Sequence, residues 1–525
     1  MSGIENRASS MTVERQKNRA RVYLVGAGPG RADLITVRGA ELLKSADCII
    51  CDRLANPVLL KFARPDAEII NVPKREGTGL FTQEEINKLL IEKASSRQNI
   101  VRLKGGDPCI FARGAEEAEV LSDAGIDFEI VPGITAAVAA AGYTGIMLTH
   151  RDYSSQVVFV TGHEAEGKKD TNIDWRLLAE FPGTISFYMA MGTLEFIADQ
   201  LIKNGMDEAA PAAVIANATL PNQRIAKAPL RLIAEKCKKD GLEPPAIVVI
   251  GEAAAGDTRL SWFMKKPLFG KSIVVTRDRR GNADFAARII RQGGNPIEFE
   301  AIEIKPLTQT NKFLKTLSRF PDYDWIIFTS ANGVNIFFDC LQNLAKDARV
   351  FASAKIAAIG SQTANRLTEF GIRPDFVPAV FTGKELGSQL IGHTNLKGEK
   401  VLLLRSQLAS NELIDIMQQA GAEVDNVPIY TAVTAKNDCA WLTEKISGGA
   451  IDWLTFTSPS CVRAFFDQIL PDIVNSSNAK VASLGPVTSE HLEELGVRIN
   501  VIAKEHTIDG LLKEIEDSER AKNIS

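Results

Sequence analysis

Short apolar runs alternate with segments of helical period along nearly the whole chain, which is the pattern of an α/β protein. Arg21–Val25, Asn99–Leu103, Ala246–Ile250 and Ile273–Thr276 read as strands. After the strand that ends at Ile250, a polar restart occurs at Lys265-Lys266-Pro267-Leu268-Phe269-Gly270-Lys271, and a fresh strand follows. The main boundary is expected there, between a domain over 21–265 and another over 271–515. Loose tails are expected at 1–20 and 516–525, the first polar and without the apolar stretch of a signal peptide.

The second half repeats itself. Lys271-Ser272-Ile273-Val274-Val275-Thr276-Arg277 is echoed by Lys400-Val401-Leu402-Leu403-Leu404-Arg405. Asp324-Trp325-Ile326-Ile327-Phe328-Thr329-Ser330 returns as Asp452-Trp453-Leu454-Thr455-Phe456-Thr457-Ser458, and Lys355–Gly360 as Lys480–Gly485. Echoes in the same order predict two similar α/β lobes facing each other. In open parallel sheets the ligand lies beyond the carboxyl ends of the strands. Those ends place Thr329, Ser330, Ser361, Thr363, Thr457, Ser458 and Thr488 as candidate substrate-binding hydroxyls. Each taken alone is an ordinary helix cap; matched sets on both lobes favour a cleft.

Composition narrows the partners. A chain of 525 residues suits about three or four globular units. The net charge of −4 gives no general attraction to nucleic acid or an anionic membrane, and the longest apolar run, Gly133–Leu148, is too short and interrupted to span one. Cys48 and Cys51 form a C-x-x-C within an apolar run and read as core residues, since no second pair follows. Seven scattered cysteines suit a reducing cytoplasm. Five histidines, none at ligand spacing, predict no metal.

Four glycine-rich or polar turns mark the first half: Gly26-Ala27-Gly28-Pro29-Gly30, Lys104-Gly105-Gly106-Asp107-Pro108, Val131-Pro132-Gly133-Ile134-Thr135-Ala136 and Thr149-His150-Arg151-Asp152. The first is not a dinucleotide loop, because Arg31 stands where the third glycine belongs and Pro29 removes an N–H. In this order, and with Cys51-Asp52-Arg53-Leu54, Phe187-Tyr188-Met189 and Pro245–Glu252, these segments resemble the tetrapyrrole methylase family, specifically the uroporphyrinogen-III C-methyltransferases, over about 21–262. Arg31 and Cys109 depart from the family pattern, where Asp and Phe are usual. The resemblance implies two α/β lobes with S-adenosylmethionine folded between them, and a homodimer. It carries the cofactor positions onto Pro29, Gly105, Asp107, Ile110, Thr135, Ala136, Met189 and Ala218, and the acid–base pair onto Asp52 and Lys74. Arg53, Arg75, Arg113 and Arg151 are candidates for the substrate carboxylates, which Arg binds bidentately.

Residues 271–515 resemble uroporphyrinogen-III synthase through Val275-Thr276-Arg277, Phe328–Val334, Ile359–Ala364, Leu404-Arg405-Ser406, Pro428-Ile429-Tyr430-Thr431, Phe456–Ser460 and Gly485–Ser489. That resemblance implies interleaved lobes: the chain starts one, builds the other whole, then returns. It also implies closure of hydroxymethylbilane into a ring with its last pyrrole inverted, Tyr430 assisting departure of the hydroxyl. Other readings remain open on sequence: a methyltransferase for a later corrin intermediate with a ligand-binding module attached, a two-lobed binding protein joined to a nucleotide-binding domain, or a dehydrogenase.

Overall fold

The computed structural model describes residues 20–72, 81–163 and 172–522. They fall into two compact units: one runs through Lys271 and takes in Ile290–Asn295, and the other holds Ser272–Ile289 and Pro296 onward.

The first unit contains two sheets. Strands β1 (Arg21–Gly26), β2 (Cys48–Cys51), β3 (Glu68–Asn71), β4 (Asn99–Lys104) and β5 (Asp127–Val131) form a parallel sheet in the order β3-β2-β4-β1-β5. β1, β2 and β4 sit at its centre with almost every residue buried, which is why their apolar runs are unbroken. Cys48 and Cys51 are two of those buried residues, and burial pushes both thiols up to about 11. Helices open where short polar side chains cap them. Thr36 accepts the Gly39 N–H, and Thr82 and Glu85 form a reciprocal capping box at Gln83–Ser96. The second sheet, of β6 (Val157–Thr161), β7 (Thr184–Tyr188), β8 (Pro211–Ala216), β9 (Arg224–Pro229) and β10 (Ala246–Ile250), is mixed, in the order β6-β7-β10-β8-β9.

The second unit is two lobes. One sheet joins β11 (Ser272–Val275), β12 (Asn295–Glu298), β18 (Trp453–Phe456), β19 (Lys480–Ser483) and β20 (Val501–Ile502), ordered β12-β11-β18-β19-β20. The other joins β13 (Ile302–Pro306), β14 (Trp325–Phe328), β15 (Lys355–Ala358), β16 (Lys400–Ser406) and β17 (Glu423–Thr434), ordered β13-β17-β16-β14-β15. The chain thus begins one lobe, completes the other, and returns, as the resemblance implied. The repeat extends to individual bonds. Asp324 accepts from the Lys400 N–H at 2.8 Å, and its counterpart Asp452 accepts from Ser272 at 2.8 Å. Lys355 lies over the Trp325 ring as Lys480 lies over Trp453. Both tryptophans are buried at the start of central strands.

The sequence expectation of a loose tail over 516–525 is corrected by the structure: the helix Ile508–Lys522 continues through most of it. Its buried face, Ile508, Leu511, Leu512 and Ile515, is extended by Glu519, which is 5% exposed. Glu519 accepts from Trp453 Nε1 at 3.1 Å and pairs with Lys480 at 2.7 Å, so a charged residue was mistaken for a solvated one. The tail expected over 1–20 lies outside the described residues except for Ala20.

Candidate active sites

In the first unit, three strand-end turns meet at one point. Gly28 and Gly106 exchange backbone hydrogen bonds of 3.1 and 2.8 Å, pinning the loop after β1 to the loop after β4. A Cβ on Gly26 would come within 2.6 Å of Gly133 Cα, so these backbones approach as closely as only glycine permits. Asp107, 8% exposed, closes the arrangement: Oδ1 accepts from Cys109 N and Oδ2 from Gly133 N, both at 2.7 Å. The turn after β8 joins them, because the Arg31 N–H donates to Thr219 Oγ1 at 3.1 Å.

Of the eight expected cofactor positions, Pro29, Gly105 and Asp107 belong to the turns of this cradle. Ile110, Ala136 and Ala218 pack against a single apolar cluster that includes Tyr188. Thr135 Oγ1 lies 2.7 Å from the Tyr188 hydroxyl, which also accepts from Ala137 N. Met189 follows it in the chain with φ of +54° and its side chain half exposed. Pro29 and Gly105 are half-buried in the two glycine turns. Among the described residues, most of the non-glycine residues with positive φ flank these positions: Phe111, Arg113, Met189, Asn217 and Thr219. Each such conformation costs on the order of 1 kcal/mol and concentrates where a ligand is held. Tyr188, the hub of the cluster, was quoted in a motif but not singled out by sequence reasoning; its aromatic contacts with Phe111 and Phe159 are long-range.

Asp52 stands at the end of β2, with one carboxylate oxygen 2.5 Å from Arg102. Among the described residues its side chain accepts from Arg102 and from no N–H of the following turn. Arg102 and Lys104 occupy alternate positions of the central strand β4 and point the same way, toward Glu117 on the helix Gly114–Asp123. All three are fully buried. Arg102 Nε donates to Glu117 at 3.3 Å, Gln83 donates at 3.1 Å, and the Lys104 ammonium lies 2.7 Å away as an ion pair without hydrogen-bond angles. Burial, with Arg102 beside it, pushes the Lys104 ammonium down to about 8, against the opposing pull of Glu117. A leucine would fill the volume of Lys104 without that cost.

The four arginines proposed for substrate carboxylates differ in setting. Arg53 and Arg151 are exposed, whereas Arg113 is engaged by Glu116 at 2.5 Å. Lys74 and Arg75 lie outside the described residues.

In the second unit a cleft of about 540 Å³ opens between the two lobes at the carboxyl ends of their strands. Ser330, Ser361, Thr363, Thr457 and Ser458 line it, from both lobes. Ser330 and Ser458 also cap their helices, accepting from Gly333 and Cys461, so the cap and cleft readings hold together for these two. Thr329 and Thr488 do not line the cleft; Thr488 is buried in the helix Pro486–Glu494. Tyr430, near the end of β17, reaches the cleft floor with its hydroxyl 2.8 Å from Ser330 Oγ, and burial raises its pKa. Sequence reasoning missed the charged lining: Arg277, Asp278, Arg463 and His506. Arg277 was legible, since it ends the quoted Val275-Thr276-Arg277 at a strand's carboxyl end; Asp278 and Arg463 carried no local signal. Arg277 and Arg463 have no ion-pair partner among the described residues, which leaves them for an anionic ligand.

The fold and these two sites define a pair of α/β enzymes in one polypeptide, one built around a glycine cradle and one around a hydroxyl-lined cleft. The family described as Tetrapyrrole (Corrin/Porphyrin) Methylases matches residues 21–234, and that described as Uroporphyrinogen-III synthase HemD matches 283–513. The porphyrin biosynthesis protein HemD of Ruminiclostridium josui is 38% identical over 494 residues, covering 94% of this chain and 97% of its own, so both halves have counterparts in one relative. The uroporphyrinogen-III C-methyltransferase of Bacillus subtilis is 39% identical over 359 residues, 67% of this chain and 73% of its own. A solved uroporphyrin-III C-methyl transferase from Thermus thermophilus, complexed with S-adenyl homocysteine, is 36% identical and covers 45% of this chain and 99% of its own, with a TM-score of 0.40. The chain belongs to the family in which a tetrapyrrole methylase is fused to a uroporphyrinogen-III synthase.

Proposed function

We propose that the chain performs two consecutive steps of tetrapyrrole synthesis. Its second unit closes hydroxymethylbilane into uroporphyrinogen III, and its first methylates that product twice from S-adenosylmethionine to precorrin-2, on the route to sirohaem and cobalamin. The observation that carries this reading is the joining of both families in one chain, because one activity makes what the other consumes.

S-adenosylmethionine supplies an electrophilic methyl group on a sulfonium sulfur. The residues present fit it: a cradle that added Cβ atoms would fill, an apolar wall of Ile110, Ala136 and Ala218, and the half-exposed Met189. Asp107 holds that cradle together through its two backbone bonds. The unit's own contribution would be to position an electron-rich pyrrole carbon of the substrate against that methyl group and to exclude water. Asp52 receives the proton that then leaves the macrocycle, its carboxylate oriented by Arg102. Lys74 is the partner acid, and Arg53, Arg75, Arg113 and Arg151 meet the substrate carboxylates, Arg113 by exchanging Glu116 for a propionate. In the cleft, Ser361, Thr363, Thr457 and Ser458 hydrogen-bond the carboxylates of the linear substrate, and the Tyr430–Ser330 pair meets its terminal hydroxyl.

The reading extends to a homodimer joined through the first unit and to a cytoplasmic setting, which seven unpaired thiols suit. Among the described residues no helix is long and apolar enough to cross a membrane. The test is product identification from hydroxymethylbilane. The full chain alone is expected to yield uroporphyrinogen III, and with S-adenosylmethionine precorrin-2 at two equivalents of donor per ring. Product of the uninverted isomer, or no methyl transfer, overturns it.

A further inference from the structure

The cleft of the second unit holds one carboxylate among its described lining residues, that of Asp278. It is 6% exposed and sits just past the end of β11. Its two oxygens have different surroundings. Oδ2 accepts the Gly281 N–H at 3.2 Å, the bond of a helix cap. Among the described residues Oδ1 has only a long hydrogen-bond contact, 3.5 Å, to Asn332 Nδ2 on the opposite lobe. One oxygen is therefore spent on the fold and the other is left at the cleft.

The segment that carries it is rigid. Asn282, 1% exposed, accepts from Arg277 N at 2.7 Å and donates to the carbonyls of Arg277 and Phe299 at 3.1 Å each. The Arg277 guanidinium folds back over Gly281, where a Cβ would come within 2.7 Å of its Nε and 3.0 Å of Asp278 Oδ1. Asn332 sits two residues after Ser330, whose hydroxyl meets Tyr430, so Asp278 faces the same end of the cleft as that pair. A surface cap needs none of this support, and a cleft that binds a polycarboxylate gains nothing in affinity from a negative charge.

We infer that Asp278 is a catalytic acid–base of the ring-closing reaction, a role that rests on the synthase reading given above. In its protonated form it gives its proton to the terminal hydroxyl of the linear substrate. The carbon–oxygen bond breaks, the pyrrole nitrogen's electron pair moves into the new double bond, and water departs. The carboxylate then faces the cationic azafulvene it has helped to form and attracts it. The bonds exchanged in inverting the last pyrrole release no proton until the ring closes. At that step the attacking pyrrole carbon loses its hydrogen as a proton, which returns to Asp278, so the acid is regenerated and one water is the net product.

The discriminating variants are Asp278→Asn and Asp278→Ser in the full chain, since Asn and Ser cap a helix as well as Asp does but neither exchanges a proton. Both are assayed for conversion of hydroxymethylbilane and, separately, for methylation of supplied uroporphyrinogen III. The expected result is a fall of about 10²-fold or more in kcat for ring closure, with the unfolding temperature and the methylation rate unchanged. Ring closure at the wild-type rate in either folded variant overturns the inference and leaves Asp278 a cap. A wild-type chain that forms no uroporphyrinogen III overturns the synthase reading itself, which is a separate outcome of the same assay.

Discussion

Replacing Asp107 by Ala tests whether the glycine cradle is held by one carboxylate. The substitution removes both acceptors at once and leaves the N–H groups of Cys109 and Gly133 without them. Cys109 is exposed, so water replaces much of what its N–H loses, and that share is about 0.5–1 kcal/mol. Gly133 is wedged against Gly106 and Gly26 in the turn that Asp107 closes, so its N–H bears the fuller penalty of about 1–3 kcal/mol. Together they destabilise the first unit by about 1.5–4 kcal/mol, or about 3–16 °C in Tm for a unit of this length. Affinity for S-adenosylmethionine falls in parallel, roughly tenfold to a hundredfold, because the ordering of the loop moves into the binding step. Calorimetric titration and thermal unfolding of the same preparation measure both. If affinity falls with Tm unchanged, Asp107 is a ligand contact and not a clamp; if neither changes, the cradle does not depend on it.

Asp52→Asn keeps the shape at the end of β2 and removes a proton acceptor, so methyl transfer is expected to slow by about 10²–10⁴ with cofactor affinity retained; normal turnover in single-turnover assays would demote Asp52. Lys104 provides a pH test. Its folded pKa of about 8 lies below that of the unfolded chain, so between those values the unfolded state binds the extra proton. Wild type should therefore gain stability relative to Lys104→Met as pH rises above 8, by up to about 3 kcal/mol; a difference that is flat or falls with pH is the contrary result. Expressed separately, residues 1–268 and 269–525 should each unfold cooperatively, and insolubility of either without its partner refutes that independence.

Much of this was legible because strands and turns announce themselves locally. The paired tryptophan strands at 325 and 453, each ending in Thr-Ser, displayed the repeat, and the glycine turns at 26–30 and 105–106 displayed the cradle. The unread part is long-range. Arg102 and Lys104 at alternate places in an apolar strand demand a buried counter-charge, but nothing local says that Glu117 supplies it or that Asp52 shares Arg102. Glu519 was assigned to a tail because its partners, Trp453 and Lys480, lie far upstream. Asp278 reads as one more polar residue in the turn after a strand until the opposite lobe is placed beside it.

The interleaving of the second unit also sets an order of events during synthesis. Strand β11 lies between β12 and β18, with Ile273 paired to Trp453. At roughly 5–20 residues per second, its inner neighbour emerges from the ribosome tens of seconds or less after it, and only once the other lobe has been made. That other lobe, β13 to β17, is continuous in sequence and can close first, because all of its strands have emerged before Trp453 is made. Meanwhile the apolar edge Ile273-Val274-Val275 waits unpaired, the kind of edge that recruits other chains. Termination or cleavage anywhere before Trp453 would strand it permanently, so a chain cut short there is a seed for aggregation and not merely a shorter enzyme.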